Sequence, residues 1–280
     1  MLLVAKSAGP TSHDVVDVVR RALGVRRVGH LGTLDPFADG LLVLVVGRAT
    51  RLAPFATGWR KEYRGTMRFG VTTSTDDATG SPLATRDGWS GLDRSAVEAA
   101  LARHRGTTWQ RPPAHSAVKV AGERAYRKAR RGETVELALR QVEITELELE
   151  AWTPPDLRFR ATVSSGTYLR SLARDVGETL GCGGHLVALT RTVVGPFRLE
   201  DAQSPERASA TDLRPASLLV QMLPRRELVA AERDAVIHGR AIAAEAADGD
   251  GRVALLHDGG LVAVADVEGG VLKPRVVVSE

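Results

Sequence analysis

Hydrophobic and polar positions divide the chain into short strands and amphipathic helices. An apolar run over Leu2 to Ala5 predicts a first strand. Val15, Val16, Val18, Val19 and Leu23 then form a helical stripe, with Ser12 as the expected N-cap and Gly24 as the stop. Six apolar residues, Leu41 to Val46, are too few for a helix and rich in β-branched side chains, so they predict a buried strand. Tyr63 to Val71 reads as one further strand, and Ser95 to Arg103 as a short helix with Val97 and Leu101 inward. Val142 and Ile144 alternate in one phase and Leu147, Leu149 and Ala151 in the other, which predicts a bulged strand. After a turn at Pro154-Pro155-Asp156, Leu157, Phe159, Ala161 and Val163 alternate cleanly. A helix from about Tyr168 to Leu180 follows, ended by Gly181.

Strands and helices mix without a βαβ rhythm, so the expected class is α+β with a mixed, largely antiparallel sheet. The pattern changes near Leu223-Pro224. Beyond it lie a short helix (Ala231 to His238) and a hairpin, Val253–His257 and Leu261–Val267, turned by Asp258-Gly259-Gly260. The expected organisation is a main domain over 1–224, with an insertion at about 105–140, and a small β-rich module over 225–280. A module of that size is marginal alone and should lean on the main domain.

Composition narrows the class. The 280 residues are 43% hydrophobic and 26% charged, which excludes disordered and fibrous proteins. One cysteine excludes a disulfide framework and any Cys-x-x-Cys metal site, and Cys182 with His185 has no partner cysteines. No apolar run approaches the ~20 residues of a membrane span, and no basic segment precedes the apolar N-terminus, so a cytoplasmic protein is expected. The net charge is +4, but residues 225–280 carry −3 and the rest +7. The excess in the larger part suits a polyanionic partner.

Three features could carry chemistry. In Gly29-His30-Leu31-Gly32-Thr33-Leu34-Asp35-Pro36-Phe37-Ala38-Asp39-Gly40, Pro36 restricts the backbone of Asp35. This is either an ordinary Asp-Pro turn or a fixed catalytic carboxylate. Each of the three tyrosines has an arginine close behind it: Tyr63-Arg64, Tyr126-Arg127 and Tyr168-Leu169-Arg170. These are chance neighbours in an arginine-rich chain, or stacking platforms beside phosphate-binding cations. Residues 119–140 hold seven basic and three acidic side chains. A solvated helix face and a phosphate-contacting surface explain such a run equally well. Asp76-Asp77 reads as a turn that lacks calcium-loop spacing.

Taken together, these segments resemble the tRNA pseudouridine-55 synthases, the TruB family. Gly29-His30-x-Gly32-Thr33-Leu34-Asp35-Pro36-x-Ala38-x-Gly40 is similar to the family signature. Thr11 to Val16, Lys61-Glu62-Tyr63-Arg64, Ser116-Ala117-x-Lys119 with Ala125-Tyr126-x-x-Ala129-Arg130, and Ser165 to Arg170 running on to Leu186 agree in the family's order, over about residues 4 to 200. The tail resembles a PUA-like RNA-binding module. Departures are Ala5-Lys6-Ser7-Ala8-Gly9 where the family opens Asp-Lys-Pro-x-Gly, Leu31 and Asp39 where threonine is usual, and His115 where tyrosine is usual.

The resemblance implies isomerisation of a tRNA uridine to pseudouridine, with no redox cofactor and no metal. It assigns Asp35 as nucleophile or charge stabiliser, Arg170 as its cation, and Tyr63 as the ring under a flipped uracil. Tyr168 and Leu189 would line the uracil pocket, and His30 would enter the RNA loop. Lys119, Arg127, Lys128, Arg130 and Arg131 would meet the backbone of the tRNA T-arm. A monomer without an obligate protein partner is expected. Two other readings stay open: an RNA-binding or tRNA-folding protein with secondary or lost catalysis, and a glycosidase pairing Asp35 with Asp39.

Overall fold

The computed structural model describes residues 1–278 except 117, 121, 126, 127, 129, 130, 132 and 134–136, and gives only the backbone at 119, 120 and 124. The chain order is β1 (Leu2–Lys6), α1 (Ser12–Leu23), β2 (Val28–His30), β3 (Asp39–Val46), α2 (Ala53–Ala56), β4 (Lys61–Phe69), β5 (Val71–Thr73), β6 (Pro82–Thr85), α3 (Arg94–Ala102) and β7 (Gly106–Gln110). A two-residue pair, β8 (Lys119–Val120) and β9 (Glu123–Arg124), lies in the insertion. Then come β10 (Arg140–Thr153), β11 (Asp156–Val163), α4 (Leu169–Thr179), β12 (Gly184–Val194) and β13 (Phe197–Arg198). The last part holds β14 (Arg225–Glu227), α5 (Ala230–Ile237), β15 (Ile242–Ala243), β16 (Gly251–His257), β17 (Gly260–Glu268) and β18 (Val271–Val277).

A nine-stranded sheet runs β1-β3-β12-β4-β11-β10-β7, with β2 beside β3 and β13 beside β12. Its described pairings are antiparallel except one, β12 with β3, where Thr190 meets Asp39 and Arg191 meets Gly40. Leu41 to Val45 of β3 are buried without a break, as a strand covered on both faces requires, and Val46 at its end is half-buried. In β11, Leu157, Phe159, Ala161 and Val163 point into the core that α3 and α4 cover. The phase slip in β10 is real: its pairing with β11 shifts between Ile144 and Glu146, and again between Leu149 and Ala151.

Two local expectations are corrected. The N-cap of α1 is Thr11, not Ser12. Thr11 and Asp14 cap each other's backbone N–H groups, which leaves the Ser12 hydroxyl free for a tertiary bond. The strand expected over Tyr63–Val71 ends at Phe69. Gly70 takes φ +91° against the Trp89 ring, where a Cβ would lie 2.5 Å from an indole carbon, and the chain turns into the β5–β6 hairpin.

The C-terminal sheet runs β14-β16-β17-β18-β15, with the β16–β17 hairpin turned at Asp258-Gly259, both at positive φ. Ala254 and Val264 share a buried cluster with Leu52, Ala56, Leu219 and Val220 of the larger part. Arg252 lies 5.2 Å from the centroid of the Phe55 ring, and Arg51 donates to the Val277 carbonyl. The module therefore completes its core against its neighbour, as its size demands.

Candidate active site

The Asp35 loop joins β2 to β3 and is tied down from beneath. Ser12 Oγ donates to the Leu34 carbonyl (3.0 Å) and accepts from the Leu34 N–H (2.8 Å). Gly9 N–H donates to the Pro36 carbonyl at 2.7 Å. Two buried cations complete the floor. Lys6 Nζ donates to the Ala38 carbonyl at 2.6 Å and to that of Pro36 at 3.3 Å. Arg191, 2% exposed, donates to the carbonyls of Leu41 (2.8 Å), Thr33 (3.2 Å) and Gly32 (3.2 Å). Gly40 must be glycine here, because a Cβ would sit 2.3 Å from the Arg191 carbonyl oxygen. Sequence reading missed Lys6 and Arg191. Their one signal is a long cation at the end of, or within, an apolar strand.

Above the loop, Arg170 grips Asp35 with two parallel bonds, Nε to Oδ2 at 2.9 Å and Nη2 to Oδ1 at 3.2 Å. The guanidinium is 4% exposed and the carboxylate 32%, so the pair opens outward on the acid side only. Nη2 also donates to the His115 carbonyl and Nη1 to that of Thr75, both at 3.0 Å. A second carboxylate stands 3.5 Å away: Asp77 Oδ2 faces Nη1. The other Asp77 oxygen accepts from Thr75 Oγ1 (2.7 Å) and from the Thr79 N–H (2.9 Å). Asp76-Asp77 does make the expected turn, with Asp76 at φ +59°, and within it Asp77 is buried and lies against Arg170. Asp76 pairs with Arg174 at 2.9 Å, one helical turn beyond Arg170.

Tyr63 on β4 and Leu189 on β12 are nearly buried and share a cluster with Leu34, Ala38 and Leu169, so the structure brings both beside the Asp35 loop. Tyr63 is the strand neighbour of Arg191. Tyr168 precedes α4, and its backbone is clamped by the Gln110 side chain, which accepts from its N–H (2.8 Å) and donates to its carbonyl (3.1 Å). Gln110 had no sequence signal. Burial pushes the Tyr168 phenol above its ordinary range, and Arg140, Ser116 and Arg170 oppose that rise while Asp35 adds to it. His30 accepts from the Gly32 N–H on Nδ1 at 3.3 Å, which assigns the ring proton to Nε2. Burial, then Arg191 and His13, holds its pKa below the usual imidazole value, so the ring enters the neutral range early.

Within the insertion, Arg127, Arg130 and the Lys119 side chain lie outside the described residues. Lys128 is half-buried. Arg131 pairs with Glu123 and Glu133, both at 2.7 Å, so a phosphate would compete for a guanidinium already engaged. Asp39, at the head of β3, acts electrostatically on Lys6, and one of its oxygens is buried without a hydrogen-bond partner. Among the described residues no three His, Cys, Asp or Glu side chains converge as a metal site, and no helix is long and apolar enough to cross a membrane.

Lys61 yields a pH prediction. The residue is 5% exposed, and its ammonium donates to the Thr57 and Trp59 carbonyls. Burial, then Arg191, pulls its pKa down to about 8. An unfolded lysine holds its proton up to about pH 10.4. Between the two values the unfolded chain binds the extra proton, so this group makes stability rise with pH from about 8 to about 10. Lys61→Met removes that rise. Its thermal midpoint, measured against the parent, should fall further behind at pH 10 than at pH 7.5. A pH-independent difference would refute the shift.

Comparison with known proteins agrees with this geometry. Residues 20–169 match the family model described as TruB family pseudouridylate synthase (N terminal domain), and residues 170–221 match the tRNA pseudouridylate synthase B C-terminal domain. The chain is 46% identical to the tRNA pseudouridine synthase B of Thermobifida fusca (strain YX), over 99% of this chain and 97% of that one. It is 45% identical to that of Synechococcus sp. (strain WH7803), over 98% and 96%. Among solved structures, a Cbf5-Nop10-Gar1 complex contains a chain that superposes with a TM-score of 0.74 at 25% identity, covering 99% of this chain and 84% of that one. An H/ACA RNP bound to a substrate RNA containing 2'-deoxyuridine shares the fold at the same TM-score and 22% identity, over 100% of this chain and 84% of that one. A carboxylate clamped by a buried arginine, with tyrosine and leucine beside it and matches of this extent, places the chain in the TruB family of pseudouridylate synthases.

Proposed function

We propose that the chain converts uridine 55 in the T-loop of tRNA to pseudouridine, with Asp35 at the reacting nucleotide. The observation that carries this reading is the Asp35–Arg170 pair. A third-exposed carboxylate is fixed by a buried, two-pronged cation at the edge of the cluster that holds Tyr63 and Leu189. In the isomerisation the N1–C1′ bond breaks, the uracil turns, a C5–C1′ bond forms, and the C5 proton is lost while N1 gains one. Asp35 serves as nucleophile or as the negative charge that stabilises the separated sugar. Arg170 keeps its direction constant through the cycle.

The base must leave its stack to reach Asp35. Tyr63 offers the ring for it, Leu189 and Tyr168 the walls, and neutral His30 enters the RNA loop near the vacated place. The basic insertion, Lys119, Arg127, Lys128, Arg130 and Arg131 included, tracks the T-arm backbone, and the β-rich C-terminal module adds RNA contact. The chain works as a monomer in the cytoplasm without a protein partner. The test is to incubate purified protein with unmodified tRNA and map pseudouridine by position. One modified site, in the T-loop, is expected. Modification elsewhere would overturn the assignment of position, and release of free uracil would favour the hydrolase.

A further inference from the structure

Two stretches of the chain, 18–34 and 40–61, hold eight lysines and arginines and no aspartate or glutamate. The pairing of β2 with β3 sets them side by side: Val28 meets Val46, and the Arg27 carbonyl accepts from the Gly47 N–H at 2.7 Å. Arg26 and Arg27 therefore lie beside Arg48, all three exposed, with exposed Arg21 in the last turn of α1. Some of the eight have structural partners. Arg20 pairs with Asp17 and donates to the Val28 carbonyl, and Arg51 donates to that of Val277. The Arg21, Arg26 and Arg27 side chains have none: among the described residues they make no hydrogen bond or ion pair. The α1 dipole favours a cation at Arg21, but Gly24 ends that helix before Arg26 and Arg27. Like charges gathered without a counter-charge repel one another, and a polyanion relieves that repulsion.

We propose that Arg21, Arg26 and Arg27, flanked by Arg48, form a surface that binds backbone phosphates of the tRNA, separate from the insertion. This rests on the functional reading above. Arg27 precedes β2 and His30 ends it, so at about 3.3 Å per residue their backbones lie about 10 Å apart. That is the span of a few stacked nucleotides. An RNA strand leaving the loop at His30 can therefore run over these arginines, on the β2 side of the Asp35 loop. The insertion joins the site elsewhere, through the His115 carbonyl on Arg170. None of the exposed large hydrophobic side chains falls in either stretch. The surface thus offers charge without an apolar anchor, which suits a phosphate backbone and not a lipid membrane. Guanidinium groups with free donor edges also match phosphate oxygens in pairs.

The test is binding of unmodified tRNA by the full chain over a series of salt concentrations, with Arg21→Gln, Arg26→Gln and Arg27→Gln combined in one variant. Its affinity at low salt should fall about tenfold. Its plot of log Kd against log salt should be shallower by about two, at the ~0.7–0.9 per neutralised phosphate known for DNA. The thermal midpoint should match the parent's, because these side chains bond nothing in the fold. The single-turnover rate at saturating tRNA should stay within about twofold, because backbone contacts position the substrate. Arg103→Gln, Arg158→Gln and Arg198→Gln together remove the same charge from other exposed positions and should leave the slope nearly unaltered. A parental slope in the first variant overturns the proposal. So does an equal fall in the second, because net charge and not this surface would then govern binding. A parent protein that binds tRNA through these arginines but forms no pseudouridine would instead overturn the functional reading, with the surface upheld.

Discussion

Asp35→Asn should leave no measurable pseudouridine while tRNA affinity stays within about tenfold, or about 1.4 kcal/mol. The amide has the shape of the carboxylate but neither its charge nor its nucleophilicity. It also fits Arg170 poorly. The side-on pair needs two acceptors, facing Nε at 2.9 Å and Nη2 at 3.2 Å, and asparagine offers one acceptor and one donor. One of the two bonds must be lost, so a modest fall in thermal midpoint should accompany the loss of activity. RNA binding draws on the wider surface, which the substitution leaves alone. Residual turnover above a hundredth of the parental rate would remove Asp35 from the chemistry.

Arg170→Ala should be the more damaging change, because it strikes stability as well as activity. The buried guanidinium stands between Asp35 and Asp77 and also binds the carbonyls of Thr75 and His115. Its removal leaves two carboxylates without their cation and two carbonyls without that donor. Breaking a buried pair from one side costs about 3–5 kcal/mol, which for a chain of this length lowers the midpoint by roughly 10 °C. Activity should fall at least a hundredfold even at temperatures where the variant is folded, because Asp35 loses its direction. Arg170→Lys should restore part of the stability and little of the rate, since an ammonium cannot supply the parallel bonds. Calorimetry beside single-turnover assays checks both parts. An alanine variant with parental rate would show that the pairing has no bearing on the reaction.

Much of the architecture was legible because its causes are local. The stop at Gly24, the turn at Asp258-Gly259, the bulge announced by the phase slip after Ile144 and the continuous burial of Leu41 to Val45 follow from backbone freedom and side-chain period within a few residues. Asp35 stood out because Pro36 restrains it. Thr11 shows where local reading loses its resolution. Thr11 and Ser12 are both competent caps, and what separates them is that the Ser12 hydroxyl has a better use on Leu34, 22 residues away.

What only the tertiary structure decided is which buried polar groups meet. Arg170 and Asp35 are 135 residues apart, and their pairing entered the sequence reading through family likeness alone. Asp77, read only as part of a turn, owes its role to the β5–β6 hairpin that carries it against α4. Arg191 acts beneath the Asp35 loop because β12 lies parallel to β3, and Gln110 clamps Tyr168 across 58 residues. The physical reason is common to all of them. A cation or amide in an apolar stretch looks the same in sequence whether it reaches out to water or ends on a buried carbonyl. Propensity and period determine the elements, whereas the site depends on desolvated groups finding partners that only the assembled sheet brings within 3 Å or so of one another.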